Sequence, residues 1–565
     1  MQTKEKIAAA IKAAVESAMQ DGALKFSDDL PEIALEVPPK KEFGDFATNF
    51  AMQSAKIFRM PPRKIAEELR ARIMSKDLLN LFDKDSVDIF DRIDIAGAGF
   101  MNFYLKSDVI YSELKKIYDA GEDFGNLPAK NNVTIQIEYV SANPTGLLHV
   151  GHGRGAAAGS AIVNILRAAG YNVESEYYIN DAGNQMDNLT KSVNARYLEL
   201  LGQKVDFPED GYKGVDIIDT TKRIIARDGD KYLNLPEDER MKILGELAYE
   251  DKLRELQKDL KNFRVKFDVW FSERTLHPDK INAAIETLKQ SGDIYEKDGA
   301  LWLASTKYGD DKDRVVVREN GEPTYLAADI AYHKNKFDRG FSELINIWGA
   351  DHHGYVARVK AAMKMLGYDP DKLKILFLQM VSLFRSGEAV KMSKRAGTAI
   401  PLRELMEEVG TDAARYFFLM RSTESQLDFD LDLAKSQSAD NPVYYIQYAH
   451  ARICSIFRQA KEAGLIQLGI EPQFSLMTSA AEIDLINKIF EYPAEIEKAA
   501  AEYAPQRIAR YVYDLASTFS SFYRDCRILG VEEDLAVARL ALIKITQRTI
   551  QHALNLLGVS APERM

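Results

Sequence analysis

Cysteine is nearly absent from this chain: Cys454 and Cys526 are the only two among 565 residues. That excludes a cysteine-rich zinc site and a disulfide framework, and it fits a reducing cytosol. No apolar run approaches the roughly 20 residues needed to span a bilayer. The opening Met-Gln-Thr-Lys-Glu-Lys begins an amphipathic, Ala-rich helix and not a signal peptide. A cytoplasmic protein with no membrane partner is therefore expected. An excess of positive charge is also missing, because Lys+Arg 74 against Asp+Glu 85 leaves a net −11. Any nucleic-acid contact must then be a local patch and not a property of the bulk. No internal repeat or low-complexity tract stands out. What is present is a 46% hydrophobic chain too long for one core, so two to four domains are expected.

Residues 1–115 read as a small α/β domain with its own core: helices over 1–20 and about 62–74, and short strands at 87–95 and 100–105 split by Ala-Gly-Ala-Gly. From about 116 to 402 strands and helices alternate, which predicts a doubly wound, Rossmann-like α/β domain. Its strands are expected at 133–140, 173–179, 300–304, 314–317, 344–349 and 375–383, with a charged helical insertion near 185–290. From 403 to 565 helical periodicity dominates and predicts an all-α domain.

The most informative stretch is Ile137-Glu-Tyr-Val-Ser-Ala-Asn-Pro-Thr-Gly-Leu-Leu-His-Val-Gly-His152. A buried strand runs into a polar turn, and a helix rich in Gly and Ala follows to about Ala169. This is the first βα turn of a parallel sheet, where nucleotides commonly sit. His149 and His152 fall on one face of the helix's first turn. Unpaired N–H groups and the positive end of the helix dipole make that end a candidate phosphate site. Small residues at 151, 153 and 155–159 keep the helix thin, so backbone can approach ligand and sheet. Spacing alone fits a plain crossover with two solvated histidines equally well.

A second stretch, Val390-Lys-Met-Ser-Lys-Arg-Ala-Gly-Thr398, follows a strand at 377–384 and a polar turn, at the end of the same expected sheet. Two amines, Lys391 and Lys394, on one loop suit the charge that builds on a departing pyrophosphate. Taken alone, the segment also reads as a solvated turn. His352 and His353 lie at the end of strand 344–349, so four of the eight histidines fall at two strand ends. Nucleotide contact is preferred there over metal, since neither pair has the HExxH spacing.

Together these residues resemble class I aminoacyl-tRNA synthetases, whose paired signatures are similar to His149-Val-Gly-His152 and Lys391-Met-Ser-Lys394. More narrowly, the chain resembles arginyl-tRNA synthetases. That likeness rests on Ser141-Ala-Asn-Pro-Thr-Gly146, Tyr178-Ile-Asn-Asp-Ala-Gly183, Gly349-Ala-Asp-His-His-Gly354, Asp412-Ala-Ala-Arg415, Asn441 to Arg452 and the final Leu557 to Met565. Phe43 to Asn49 and Gly97 to Asn102 resemble that family's N-terminal tRNA-contacting domain. Position 150 is Val where the class signature has Ile, and position 414 is Ala where Leu is frequent.

The resemblance implies adenylation of arginine by ATP, then transfer to the 3′ end of arginine tRNA, by a monomer. The 403–565 domain would bind the anticodon. His149, His152, Lys391 and Lys394 would be catalytic, with Gly151, Gly349, Asp351, His352, His353, Met392 and Ser393 around ATP and Mg2+ arriving with ATP. No metal site of the protein's own is expected. A guanidinium wants planar carboxylate partners; Glu138, at the end of a buried strand, and Asp329, a turn from Tyr325 on an apolar helix, are the expected ones. An internal salt bridge for Glu138 and an exposed position for Asp329 are the alternatives. Ser141 and Asn143 would meet the arginine α-amino and carboxylate groups. On the tRNA side Phe43, Asn49, Tyr444, Gln447, Tyr448 and Arg452 are candidates, because aromatics stack on splayed bases and Arg or Gln reads their edges; packing within a helical bundle is the other reading. A class I synthetase for another amino acid and a non-catalytic tRNA-binding paralogue remain alternatives.

Overall fold

The computed structural model describes residues 2–38, 41–75, 89–390, 400–465 and 470–565. Lys391, Met392, Ser393 and Lys394 lie outside the described residues. At the N-terminus the helix Gln2–Gln20 packs on the helix Pro62–Ile73, which in turn packs on an antiparallel sheet of β1 (Phe46–Thr48), β2 (Phe90–Ala96) and β3 (Phe100–Leu105). Ile7, Ile11, Phe50, Ile65, Leu69 and Phe103 close a core that is separate from the rest of the molecule.

The large sheet is all parallel. Its strands are β4 (Thr134–Glu138), β5 (Asn172–Ile179) and β6 (Val269–Ser272). They are joined, after a small antiparallel sheet of β7 (Ile294–Lys297), β8 (Ala300–Leu303) and β9 (Arg314–Val317), by β10 (Glu343–Gly349) and β11 (Leu373–Leu378). The spatial order β11-β10-β4-β5-β6 puts β4 at the centre with β10 beside it. Both histidine-bearing strand ends are therefore neighbours at one edge of the sheet.

Three expectations about strands need correction. The stretch 185–290 is not a pure helical insertion, because β6 inside it is the sheet's fifth strand. The segments at 300–304 and 314–317 pair with each other and with β7, and never join the large sheet. The single strand expected at 375–383 breaks at Gln379-Met380. Beyond it β12 (Val381–Arg385) pairs with β13 (Glu388–Val390) and with β14 (Leu427–Asp430), a strand inside the stretch expected to be all helical. The break has a physical cause. The Arg154 guanidinium, fully buried, donates to the carbonyls of Gln379 (2.7 Å), Ser422 (2.8 Å) and Ser425 (2.8 Å), which pulls the backbone out of the sheet at that point.

The helix Val150–Ala168 crosses over β4 almost wholly buried. Its small residues permit this: a Cβ on Gly159 would stand 2.2 Å from the Tyr139 ring. The core formed there runs without a break into the C-terminal helices, from Ile135 and Ile162 through Phe418 and Leu515 to Leu554. Arg415, also fully buried, ties the two together by donating to the carbonyls of Phe263 (2.8 Å) and Leu557 (2.9 Å) and to Ser160 Oγ (2.8 Å). Among the described residues no helix is long and apolar enough to cross a membrane.

Candidate active site

The turn after β4 is bent hard. Val140 (φ 69°) and Ser141 (φ 41°) both lie in the left-handed region, which costs a non-glycine residue on the order of 1–3 kcal/mol. Neighbouring β5 holds it in place: the Tyr178 N–H donates to Ser141 Oγ (3.1 Å) and the Tyr177 hydroxyl to the Ala142 carbonyl (2.7 Å). Asn143 stands exposed beyond the bend.

His149 is the N-cap of the helix Val150–Ala168. Its Nδ1 accepts from the backbone N–H of Gly151 (3.1 Å) and of His152 (3.4 Å), while His152 Nδ1 accepts from the N–H of His149 (3.3 Å). The two rings stack with centroids 3.6 Å apart. The expectation of unpaired N–H groups at this helix end is thus corrected, since the histidines themselves occupy them and the Val150 N–H donates to the Ile400 carbonyl. With both Nδ1 atoms accepting, each neutral ring carries its proton on Nε2. Burial lowers the pKa of His149, and burial together with the adjacent His149 lowers that of His152 to about 3, so both rings are neutral. Gly151 gives the ring room: a Cβ there would stand 3.0 Å from the His149 ring and crowd it.

Ile400 and Leu402, just past the Lys-Met-Ser-Lys segment, bracket the histidine turn. The Ile400 carbonyl accepts from Val150, and the Leu402 N–H donates to the Leu148 carbonyl (2.7 Å). Separation in sequence hid this pairing. At the end of β10, Gly349 leads into Asp351 and His352, both exposed, and the His353 ring stacks on Phe377 at 3.5 Å.

Glu138 is buried at the end of β4 and carries an internal salt bridge: Lys336 Nζ donates to its Oε2. Burial pushes its pKa up, but the Lys336 ammonium outweighs burial and the net shift is down, so Glu138 is ionised. Asp329 is partly buried, not exposed. Its Oδ2 accepts from the Tyr355 hydroxyl. Burial raises its pKa to about 7; the Tyr355 bond opposes this, and the charges of Glu273 and Glu138 add to it. Tyr325, the first residue of the helix Tyr325–Asp338, is half exposed with its ring near Gly183. Tyr178, beside Asp329, donates to Glu273 (2.8 Å). Sequence reasoning missed Lys336, His333, Asn346 and Tyr355; a lysine and a histidine within a polar helix stretch carry no signal of burial.

Elsewhere, Phe43 is exposed, and Asn49 caps the short helix Phe50–Gln53 through its backbone carbonyl. Tyr444 and Tyr448 stack in parallel at 6.2 Å, and the Arg452 guanidinium lies 4.6 Å from the Tyr448 ring and 5.0 Å from Tyr523. Gln447 faces inward: its amide donates to Asp412 and to the Ser560 carbonyl, both at 2.9 Å, so it ties down the C-terminal segment.

A parallel sheet with two histidine pairs at adjacent strand ends, flanked by a small N-terminal domain and a helical C-terminal one, is the class I aminoacyl-tRNA synthetase architecture. The family model described as tRNA synthetases class I (R), catalytic domain matches residues 113–433. Those described as arginyl tRNA synthetase N terminal domain and DALR anticodon binding domain match 2–105 and 446–565. The chain is 53% identical over 551 residues to the arginine–tRNA ligase of Carboxydothermus hydrogenoformans, covering 97% of each. It is 48% identical over 567 residues to that of Bacillus subtilis, covering 100% of each. Its fold matches the solved Thermus thermophilus arginyl-tRNA synthetase with a TM-score of 0.74 at 23% identity, over 99% of this chain and 100% of that one. The chain belongs to the arginyl-tRNA synthetase family.

Proposed function

We propose that this chain activates arginine with ATP and transfers the arginyl group to the 3′ end of arginine tRNA. The arginine carboxylate attacks the α-phosphate, the bond to pyrophosphate breaks, and a mixed anhydride with AMP forms. A terminal ribose hydroxyl then attacks the arginyl carbonyl and AMP leaves. No covalent enzyme intermediate is needed, so the protein's task is positioning and charge stabilisation. The observation that carries this reading is the pairing of Ile400 and Leu402 with Leu148 and Val150, which anchors the chain leaving the Lys-Met-Ser-Lys segment beside the paired histidines.

In this reading His149 and His152 offer their Nε2–H groups to the ATP phosphates, while Lys391 and Lys394 meet the β- and γ-phosphates. Gly151, Gly349, Asp351, His352, His353, Met392 and Ser393 surround the nucleotide. Magnesium enters with ATP as part of the substrate complex. Asp329, Glu138 and Tyr325 hold the guanidinium, and Ser141 and Asn143 the α-amino and carboxylate groups. Tyr444, Tyr448, Arg452, Phe43 and Asn49 face tRNA. One chain carrying all three parts supports a monomer as the working form, and two free buried thiols suit the cytoplasm.

The deciding experiment is ATP–pyrophosphate exchange with each of the twenty amino acids, with and without total tRNA. Exchange with arginine alone supports the reading, and dependence on tRNA would add a coupling between the two substrates. Exchange with another amino acid would overturn the roles of Glu138 and Asp329, and no exchange at all would favour a non-catalytic tRNA-binding protein. Lys391→Ala with Lys394→Ala is expected to abolish most activation, and near-full activity would remove those lysines from the mechanism.

A further inference from the structure

Behind the two acids lies a buried chain of hydrogen bonds whose polarity is fixed throughout. The Asp329 carbonyl faces His333 Nδ1 at 2.8 Å. A carbonyl only accepts, so Nδ1 bears the proton and Nε2 is an acceptor. Asn346 Nδ2 lies 2.8 Å from that Nε2 and must donate to it, which turns Asn346 Oδ1 the other way. Lys336 Nζ donates to this Oδ1 (2.8 Å) and to Glu138 Oε2. Lys336 and Asn346 are fully buried and His333 is 3% exposed, so water cannot substitute for any link. Burial and the Lys336 charge hold the His333 pKa down at about 4, which keeps the ring neutral, as this polarity requires.

The chain joins three elements. Asp329, His333 and Lys336 sit on successive turns of the helix Tyr325–Asp338, whereas Glu138 and Asn346 are register partners on β4 and β10. Glu138 is offset by Lys336, whereas the only side-chain partner of Asp329 among the described residues is the Tyr355 hydroxyl.

We propose that Lys336, Asn346 and His333 are positioning residues for arginine. They orient Glu138 and lock it to the helix turn bearing Asp329, so that both acids meet the guanidinium as one rigid pair. This rests on the reading that Glu138 and Asp329 bind that group.

The test is steady-state aminoacylation by the full chain with arginine tRNA. Lys336→Met keeps the aliphatic stem and removes the ammonium; Asn346→Ala cuts the chain in the middle. Each is expected to raise KM for arginine about tenfold or more while KM for ATP stays within about twofold. A positioning role acts through Glu138, so in a Glu138→Gln background Lys336→Met should add less than about twofold. That double variant has no lone buried charge, whereas each single variant strands one; the charge-free comparison is therefore the double variant with and without Asn346→Ala, which should also differ by less than about twofold. Independent, multiplying effects, or an equal rise in KM for both substrates, would overturn the proposal. Asp329→Ala separates it from the underlying reading. Unchanged arginine kinetics in that variant would remove the arginine site itself. Lost arginine use there, with Lys336→Met and Asn346→Ala behaving as wild type, would remove only the positioning role.

Discussion

Asp329 carries the clearest chemistry of any single side chain here. A carboxyl with its pKa raised to about 7 is part protonated at neutral pH, and on the proposed reading it must be ionised to hold the guanidinium. Arginine binding should therefore release a proton, so kcat/KM for arginine should fall as pH drops below about 7, and this dependence should vanish in Asp329→Asn. Removing the charge-assisted pair altogether, as in Asp329→Ala, should raise arginine KM by about 30–100-fold with little change for ATP. The same shift has a stability consequence. The folded state holds its proton to a higher pH than the unfolded state does, so between the ordinary carboxylate range and about pH 7 stability falls as pH rises. Asp329→Asn keeps an acceptor for Tyr355 and loses this penalty; its melting temperature should exceed that of wild type by more at pH 8 than at pH 5. Asp329 could be singled out in the sequence because an acid in an apolar run is conspicuous. Lys336 and His333 could not, because a cation on a helix reads as solvated until the facing strand supplies Glu138 and Asn346. The inward turn of Gln447 was equally illegible, since it depends on Asp412 and Ser560, more than a hundred residues away in the latter case.

Among the elements, the helix Val150–Ala168 sets the geometry of the site. Gly159→Ala places a methyl against the backbone-proximal atoms of the buried Tyr139 ring, which cannot swing away. Overpacking of this kind costs about 1–3 kcal/mol, so a clear drop in melting temperature is expected. The helix was legible because Gly and Ala in such density mean close packing whatever lies opposite. Its first turn was not, because which atoms fill the N-cap is a matter of rotamer: the histidines fold back on their own backbone where a ligand had been expected. The differences in the strands have two origins. β6 and β14 have four residues each, too few for alternation to register beside long charged helices. The break between β11 and β12 is dictated by a buried arginine on a different element, and Arg154→Met should show it. The carbonyls of Gln379, Met380, Ser422 and Ser425 would each lose a donor, and thermal stability and ATP use should fall together.

At the scale of the whole molecule, the last residues work as a clasp. Asp412 accepts from the N–H and hydroxyl of Ser560, from Arg264 and from Gln447, while the Pro562 carbonyl lies 2.9 Å from His450 Nδ1. Truncation after Leu557 should therefore lower the melting temperature and impair tRNA charging more than binding of free ATP, measured by comparing charging rate with nucleotide affinity. Three parts in order could be read from periodicity along the chain, but whether they share a core could not, since periodicity says which face is apolar and not what covers it. The N-terminal part has its own core; the sheet and the C-terminal helices have one between them. This decides where such a protein can be recombined. A foreign N-terminal part could be grafted near residue 106 with only surface contacts to re-fit. A helical half borrowed from another synthetase would arrive with a mismatched interior, so the two larger parts are expected to be inherited together and to change by compensating pairs of substitutions across their common interior.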